Sequence, residues 1–154
     1  MNCIDYFYKL LARREYSTYE LTKKAQYKGF DPNDITESIE KLQRLNYQSD
    51  TRFVESMITS YRGKYGKIVI KRKCRDKGID SEFFEQIWQS NTEDEEGGQL
   101  EGLKAKVVRK YKITDFYNID PKTKRKVWNY LQYRGFNPGE VLTQWQREQE
   151  EDED

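Results

Sequence analysis

Lys64, Lys67, Lys71 and Arg75 step along the chain by three and four residues. On a helix they share one face, with Lys73 and Lys77 at its flanks. A second set, Lys104, Arg109, Lys110 and Lys112, is followed by Lys122, Lys124, Arg125 and Lys126. Stripes of this kind neutralise phosphates or meet an acidic protein surface, and binding through them weakens steeply with salt. A merely solvated lysine-rich helix face has the same pattern. Tyr65, Tyr111 and Tyr133 stand among the bases, where a ring can stack on a nucleobase or pack half-buried.

Other chemistry is poorly served. The chain contains no histidine, which removes the commonest general base and the commonest metal ligand. Gly63, Gly66 and Lys67 faintly suggest a phosphate loop, but the spacing departs from G-x-x-x-x-G-K-[ST], and Ile68 follows the lysine. The acidic runs lack the spaced glycine of a calcium loop. The expectation is therefore a non-enzyme with no cofactor and no metal. Cys3 and Cys74 form no C-x-x-C pair, and Cys74 falls on an apolar face as a core thiol. A reducing compartment, the cytoplasm, follows. No run reaches membrane-spanning length, and the first residues lack a signal-peptide pattern.

Charge is segregated. The formal net charge is +1, from 28 bases and 27 acids. Four acids lie in Glu93–Glu96 and six between Glu148 and Asp154, which leaves 17 acids against the 28 bases elsewhere. A basic body with an acidic end suits a polyanionic partner, though a solubilising tail gives the same composition.

The elements that must carry these bases repeat. Lys28-Gly29-Phe30-Asp31 returns as Lys77-Gly78-Ile79-Asp80 and as Arg134-Gly135-Phe136-Asn137. A glycine just past a helix end takes the left-handed conformation, and the Asp or Asn that follows caps the next helix. Eight residues before each glycine stand Leu21, Ile70 and Val127, and four before stand Ala25, Cys74 and Leu131. Six after stand Ile35, Phe84 and Val141, and ten after stand Ile39, Trp88 and Trp145. The glycines are 49 and 57 residues apart, the spacing of a modular array.

The pattern predicts an all-α chain, an elongated array of three tandem three-helix repeats. Repeat one covers 1–48, with helices over 3–14, 18–28 and 32–45. Ser17-Thr18-Tyr19-Glu20 is a capping box opening the second of these. Repeat two covers 49–91, with Asp50 as the cap of a helix to about 62, then helices over 67–77 and 81–90. Ile68-Val69-Ile70 alone would read as strand, and the repeat register overrules that. An acidic linker at 92–99 with Gly97-Gly98 leads to repeat three at 100–147, with helices over 100–112, 121–134 and 138–149. Phe116 and Tyr117 are expected inside. Residues 148–154 are expected to be a disordered acidic tail.

The arrangement resembles the RecX family. Leu11-Ala12-Arg13-Arg14-Glu15-Tyr16-Ser17-Thr18-Tyr19-Glu20-Leu21 is similar to that family's L-x-R-R-x-[YH]-S-x-x-E-L signature ahead of a K-G-[FY], here at Gly29. Asp50, Arg52, Phe53 and Tyr61 fit its next element, and Gly66, Ile70, Lys77-Gly78-Ile79 and Arg134-Gly135-Phe136 fit those after it. The Glu-Leu that often follows the glycine loop is absent, with Ile70-Lys71 in its place. The resemblance implies a recombination regulator in DNA repair and the SOS response. It would bind the RecA recombinase as its filament on single-stranded DNA, modulating, chiefly inhibiting, ATP hydrolysis, strand exchange and coprotease action. It implies a monomer with weak direct DNA binding. The expected contacts are Lys64, Lys67, Lys71, Arg75, Lys104, Arg109, Lys110, Lys124 and Arg125. Arg13, Arg14, Ser17, Glu20, Leu21, Gly29, Asp50, Phe53, Gly78 and Gly135 are expected to be structural. The alternative is a helical module that binds nucleic acid directly, with no recombinase.

Overall fold

The computed structural model describes residues 1–92 and 100–153, so 93–99 of the acidic linker and Asp154 lie outside the described residues, while Thr92 belongs to the helix before it. Nine helices make up the described chain: α1 Cys3–Leu11, α2 Thr18–Lys28, α3 Pro32–Arg44, α4 Asp50–Tyr61, α5 Lys67–Asp76, α6 Ser81–Thr92, α7 Glu101–Tyr111, α8 Pro121–Tyr133 and α9 Pro138–Glu153. The chain is all-helical among the described residues, in tandem three-helix repeats. The β-branched run at Ile68 is helical, because Val69 and Ile70 are buried on α5.

Each repeated glycine closes a helix in the same way. Gly29, Gly78 and Gly135 have φ of 87°, 82° and 88°. Each donates its amide three residues back, to Gln26, Arg75 and Gln132. The following residue, Phe30, Ile79 or Phe136, donates to the carbonyl of Ala25, Cys74 or Leu131. This is the Schellman pattern, and its acceptor is the buried position four before each glycine. Asp31, Asp80 and Asn137 then accept amides of the next helix, from Asn33, Phe83 and Glu140.

Two compact units emerge. The first joins Met1–Ser60 with Lys71–Thr92; the second joins Tyr61–Ile70 with the described residues from Leu100 on. In the first, Phe7, Leu21, Ala25, Ile35, Ile39 and Leu42 fill the core of α1–α3. In the second, Leu103, Val107, Val127, Leu131 and Trp145 fill the core of α7–α9. Of the aligned positions, only Trp88 is less than fully buried; it stacks on Phe84 at 5.8 Å.

Four local expectations change. α1 ends at Leu11, not residue 14, since Arg13 bonds Leu10 in a tight turn and Arg14 folds over the Tyr16 ring at 3.6 Å. Ser49, not Asp50, caps α4 by accepting from the Arg52 amide; Asp50 instead accepts from the Thr18 amide at 2.9 Å, tying α4 to α2. Phe116 is buried, but Tyr117 is exposed. The acidic end is helical through Glu153 instead of disordered from 148. It has partners: Glu148 takes Lys104 and Gln144, Gln149 joins Asp115 and the Phe116 amide, and Glu150 accepts from the Tyr117 hydroxyl.

Candidate anion-binding surface

Ser17, Glu20 and Arg14 form a framework, not a surface. Ser17 accepts from the Glu20 amide, the Glu20 carboxylate accepts from the Ser17 amide, and Arg14 donates to that carboxylate at 2.8 Å. Burial alone would raise the Glu20 carboxyl, yet the Arg14 guanidinium, the Ser17 amide and Lys77 together hold it below its ordinary value. The bond to Glu20 in turn raises Arg14. Leu21 and Phe53 are core residues, and Arg13 is exposed. Cys74 is buried and its thiol is pushed up to about 11 by desolvation, which removes thiolate chemistry.

The expected contact residues divide by what holds their heads. Lys71 is paired with Glu85 at 2.7 Å, and Lys104 with Glu148 at 2.9 Å. Lys67 is half-buried, one turn before Lys71 on α5. Lys64, Arg75, Arg109, Lys110, Lys124 and Arg125 are exposed. α8 carries no acidic residue between Pro121 and Tyr133.

Only part of the set converges. Within the second unit the Lys110 ammonium lies 4.9 Å from the centroid of Tyr130 and 5.6 Å from that of Tyr111. Arg134, from the end of α8, lies 4.6 Å from the same Tyr130 ring and 5.8 Å from Tyr65. Its Nη1 donates to the Lys64 carbonyl at 3.0 Å. Lys64, Lys110, Tyr65 and Tyr111 therefore meet around Arg134 and Tyr130, neither of which the spacing singled out as a contact. The available signal was chemical. Arg134 stands where the other repeats have lysine, and a planar guanidinium stacks on rings as an ammonium does not.

Comparison with known proteins decides the family. Residues 3–42 match the family model described as "RecX, first three-helix domain". Over 138 residues the chain is 38% identical to the "Regulatory protein RecX" of Pasteurella multocida strain Pm70, spanning 88% of this chain and 80% of that protein. The chain belongs to the RecX family. Another RecX regulatory protein, from Legionella pneumophila strain Corby, is 34% identical over 84% of this chain and 83% of its own length. The crystal structure of RecX from Lactobacillus salivarius superposes with a TM-score of 0.74 at 21% identity, covering 94% of each chain. That likeness is one of fold. The RecX family is one of regulators. Among the described residues no helix is long and apolar enough to cross a membrane.

Proposed function

We propose that this RecX protein regulates a RecA recombinase by binding its filament on single-stranded DNA and lowering ATP hydrolysis, strand exchange and coprotease action. The observation that carries the reading is the 38% identity to a regulatory RecX across 88% of the chain. The exposed cations support it, because Arg75, Arg109, Lys110, Lys124 and Arg125 present charge that acidic protein or phosphate can meet. Lys64 and Lys67 extend the contact, and Lys71 and Lys104 join it by exchanging their internal carboxylates. Three linked repeats, at 1–48, 49–91 and 100–147, gain effective concentration when each touches a successive subunit. The protein acts in the cytoplasm as a monomer.

The test is ATP hydrolysis by a RecA recombinase on single-stranded DNA, titrated with this protein at fixed, moderate salt. A fall at substoichiometric ratios is expected, from action on filament growth or disassembly. No change until the protein coats the DNA would reduce the effect to competition for phosphates and overturn the reading.

A further inference from the structure

The end of α9 is built against its own electrostatics. The negative end of a helix dipole favours bases, and acids at spacings of three and four repel one another. Yet the last turns carry Glu148, Glu150, Glu151, Asp152 and Glu153, with no base in the last turn. Side chains hold the helix there by anchoring it to the loop between α7 and α8. Gln146 donates to the Phe116 carbonyl at 3.1 Å. Gln149 donates to Asp115 and accepts from the Phe116 amide, both at 2.8 Å. Glu150 accepts from the Tyr117 hydroxyl at 2.7 Å. None of these anchors uses Glu148. One oxygen of its carboxylate takes the Lys104 ammonium of α7 at 2.9 Å, and the other accepts from Gln144 at 3.2 Å. Lys104 also lies 5.7 Å from the Phe116 centroid, and its side chain is 24% exposed. A base of the expected contact set therefore has its charge already answered by an acid of its own unit.

We propose that Glu148, held in place by the anchored end of α9, is an autoinhibitory competitor for Lys104, which an external phosphate must displace before Lys104 can bind it. The proposal rests on the reading of these bases as contacts and adds a control over one of them. Such a pair is weak enough to exchange, because water screens both heads. The anchors through Gln146 and Gln149 survive the exchange, so the acid stays close and returns when the phosphate leaves. Displacement also changes the ion count. A phosphate that takes Lys104 from Glu148 frees its own counterion, but the released carboxylate takes one up. The competitor therefore lowers both the affinity for a polyanion and its dependence on salt.

The experiment is fluorescence anisotropy of the full chain with a labelled oligothymidylate as the phosphate probe, across a salt series. Glu148→Gln keeps an acceptor for Gln144 and removes the charge. It should tighten binding about two- to fivefold at low salt and steepen the slope of log K against log salt by about 0.7. Lys104→Gln alone should change affinity little, and combined with Glu148→Gln it should erase most of the gain. Glu140→Gln, at an exposed acid in the first turn of the same helix, controls for net charge and should tighten binding less than Glu148→Gln. Melting temperatures close to that of the unsubstituted chain check that the variants fold. Two results overturn the proposal and leave the contact reading in place. One is binding by Glu148→Gln no tighter than by Glu140→Gln. The other is a gain from Glu148→Gln that survives the loss of Lys104, which makes the effect one of overall charge. Failure of every variant to bind the probe at low salt overturns the proposal and the contact reading together.

Discussion

Ser17 and Gly66 each stand twelve residues before the glycine that ends their own helix, Gly29 and Gly78. Each also meets the C-terminal turn of a later helix at the carbonyl just before a left-handed glycine. Ser17 donates its hydroxyl to the Lys77 carbonyl at 2.7 Å, in the first unit. Gly66 donates its amide to the Arg134 carbonyl at 2.8 Å, in the second. The first joint is made of side chains, with Glu20 bridging Arg14 and Lys77 around the serine. The second is backbone against backbone, and a Cβ at Gly66 would stand 2.2 Å from the Gly135 carbonyl oxygen. The same repeat position is thus served either by a polar cap or by having no side chain. The two solutions should fail differently.

The largest effect is expected at the backbone joint. Gly66→Ala drives a methyl into the Gly135 carbonyl, and Gly135→Ala meets the Val69 side chain at 2.6 Å and its amide nitrogen at 2.9 Å. Neither backbone has room to yield, so each should cost about 3 kcal/mol or more in urea unfolding. Gly29→Ala is the control. Its φ is the same within a degree of Gly135's, but nothing lies within 4 Å of the new Cβ. It should cost only the left-handed penalty of about 1–2 kcal/mol. Equal losses at Gly29 and Gly135 would mean that conformation, not close approach, explains both glycines.

The side-chain joint should yield more gently and respond to acid. Ser17→Ala removes the cap of α2 and the bond to Lys77 together, for about 1–3 kcal/mol. The Glu20 carboxyl is held below its ordinary value when folded. A depressed folded pKa gives stability that is present above the unfolded value, near 4.3 for glutamate, and lost as pH falls through the folded one. Glu20→Gln keeps an acceptor for the Ser17 amide but removes the charge. It should lower stability at neutral pH and flatten the acid limb of the stability curve. A parallel downward shift at all pH values would show that the charge is idle in the joint.

Much of the fold was legible because its grammar is local. A basic residue, a glycine, an apolar residue and an Asp or Asn specify a Schellman end and the next cap within four residues, and all three copies obey. The Ser17–Glu20 box was equally readable. Its second bond was not, because the acceptor is a main-chain carbonyl 60 residues away and any residue type supplies one. Gly66 looked like a fragment of a phosphate loop; its role is to leave space, and space has no residue signature. The Lys110–Tyr130–Arg134 cluster was hidden in the same way, since its members come from separate elements. The acidic end misled through composition. A block of acids reads as disorder, but on a helix Glu148 reaches Lys104 while Gln149 and Glu150 reach the α7–α8 loop.

The smallest effects sharpen the comparison most, because they concern one repeat position. Lys77 and Arg134 both precede a left-handed glycine. The Lys77 ammonium is 3.8 Å from Glu20 and its side chain is 48% exposed. Such a pair contributes about 0–1 kcal/mol, and Arg14 already occupies the same carboxylate oxygen at 2.8 Å. Lys77→Ala should therefore sit near the bottom of that range. Arg134→Ala deletes a guanidinium that bonds the Lys64 carbonyl and lies over two rings, so it should cost about 1 kcal/mol. The main-chain bond from Gly66 survives in that variant, which separates the side chain's share of the joint from the backbone's. Arg134→Lys tests whether charge suffices. If the planar fork matters, lysine should recover less than half of the loss, since it cannot bond a carbonyl and stack on Tyr65 and Tyr130 at once. Full recovery by lysine would make the two positions equivalent and leave Gly66 as the sole difference between the joints.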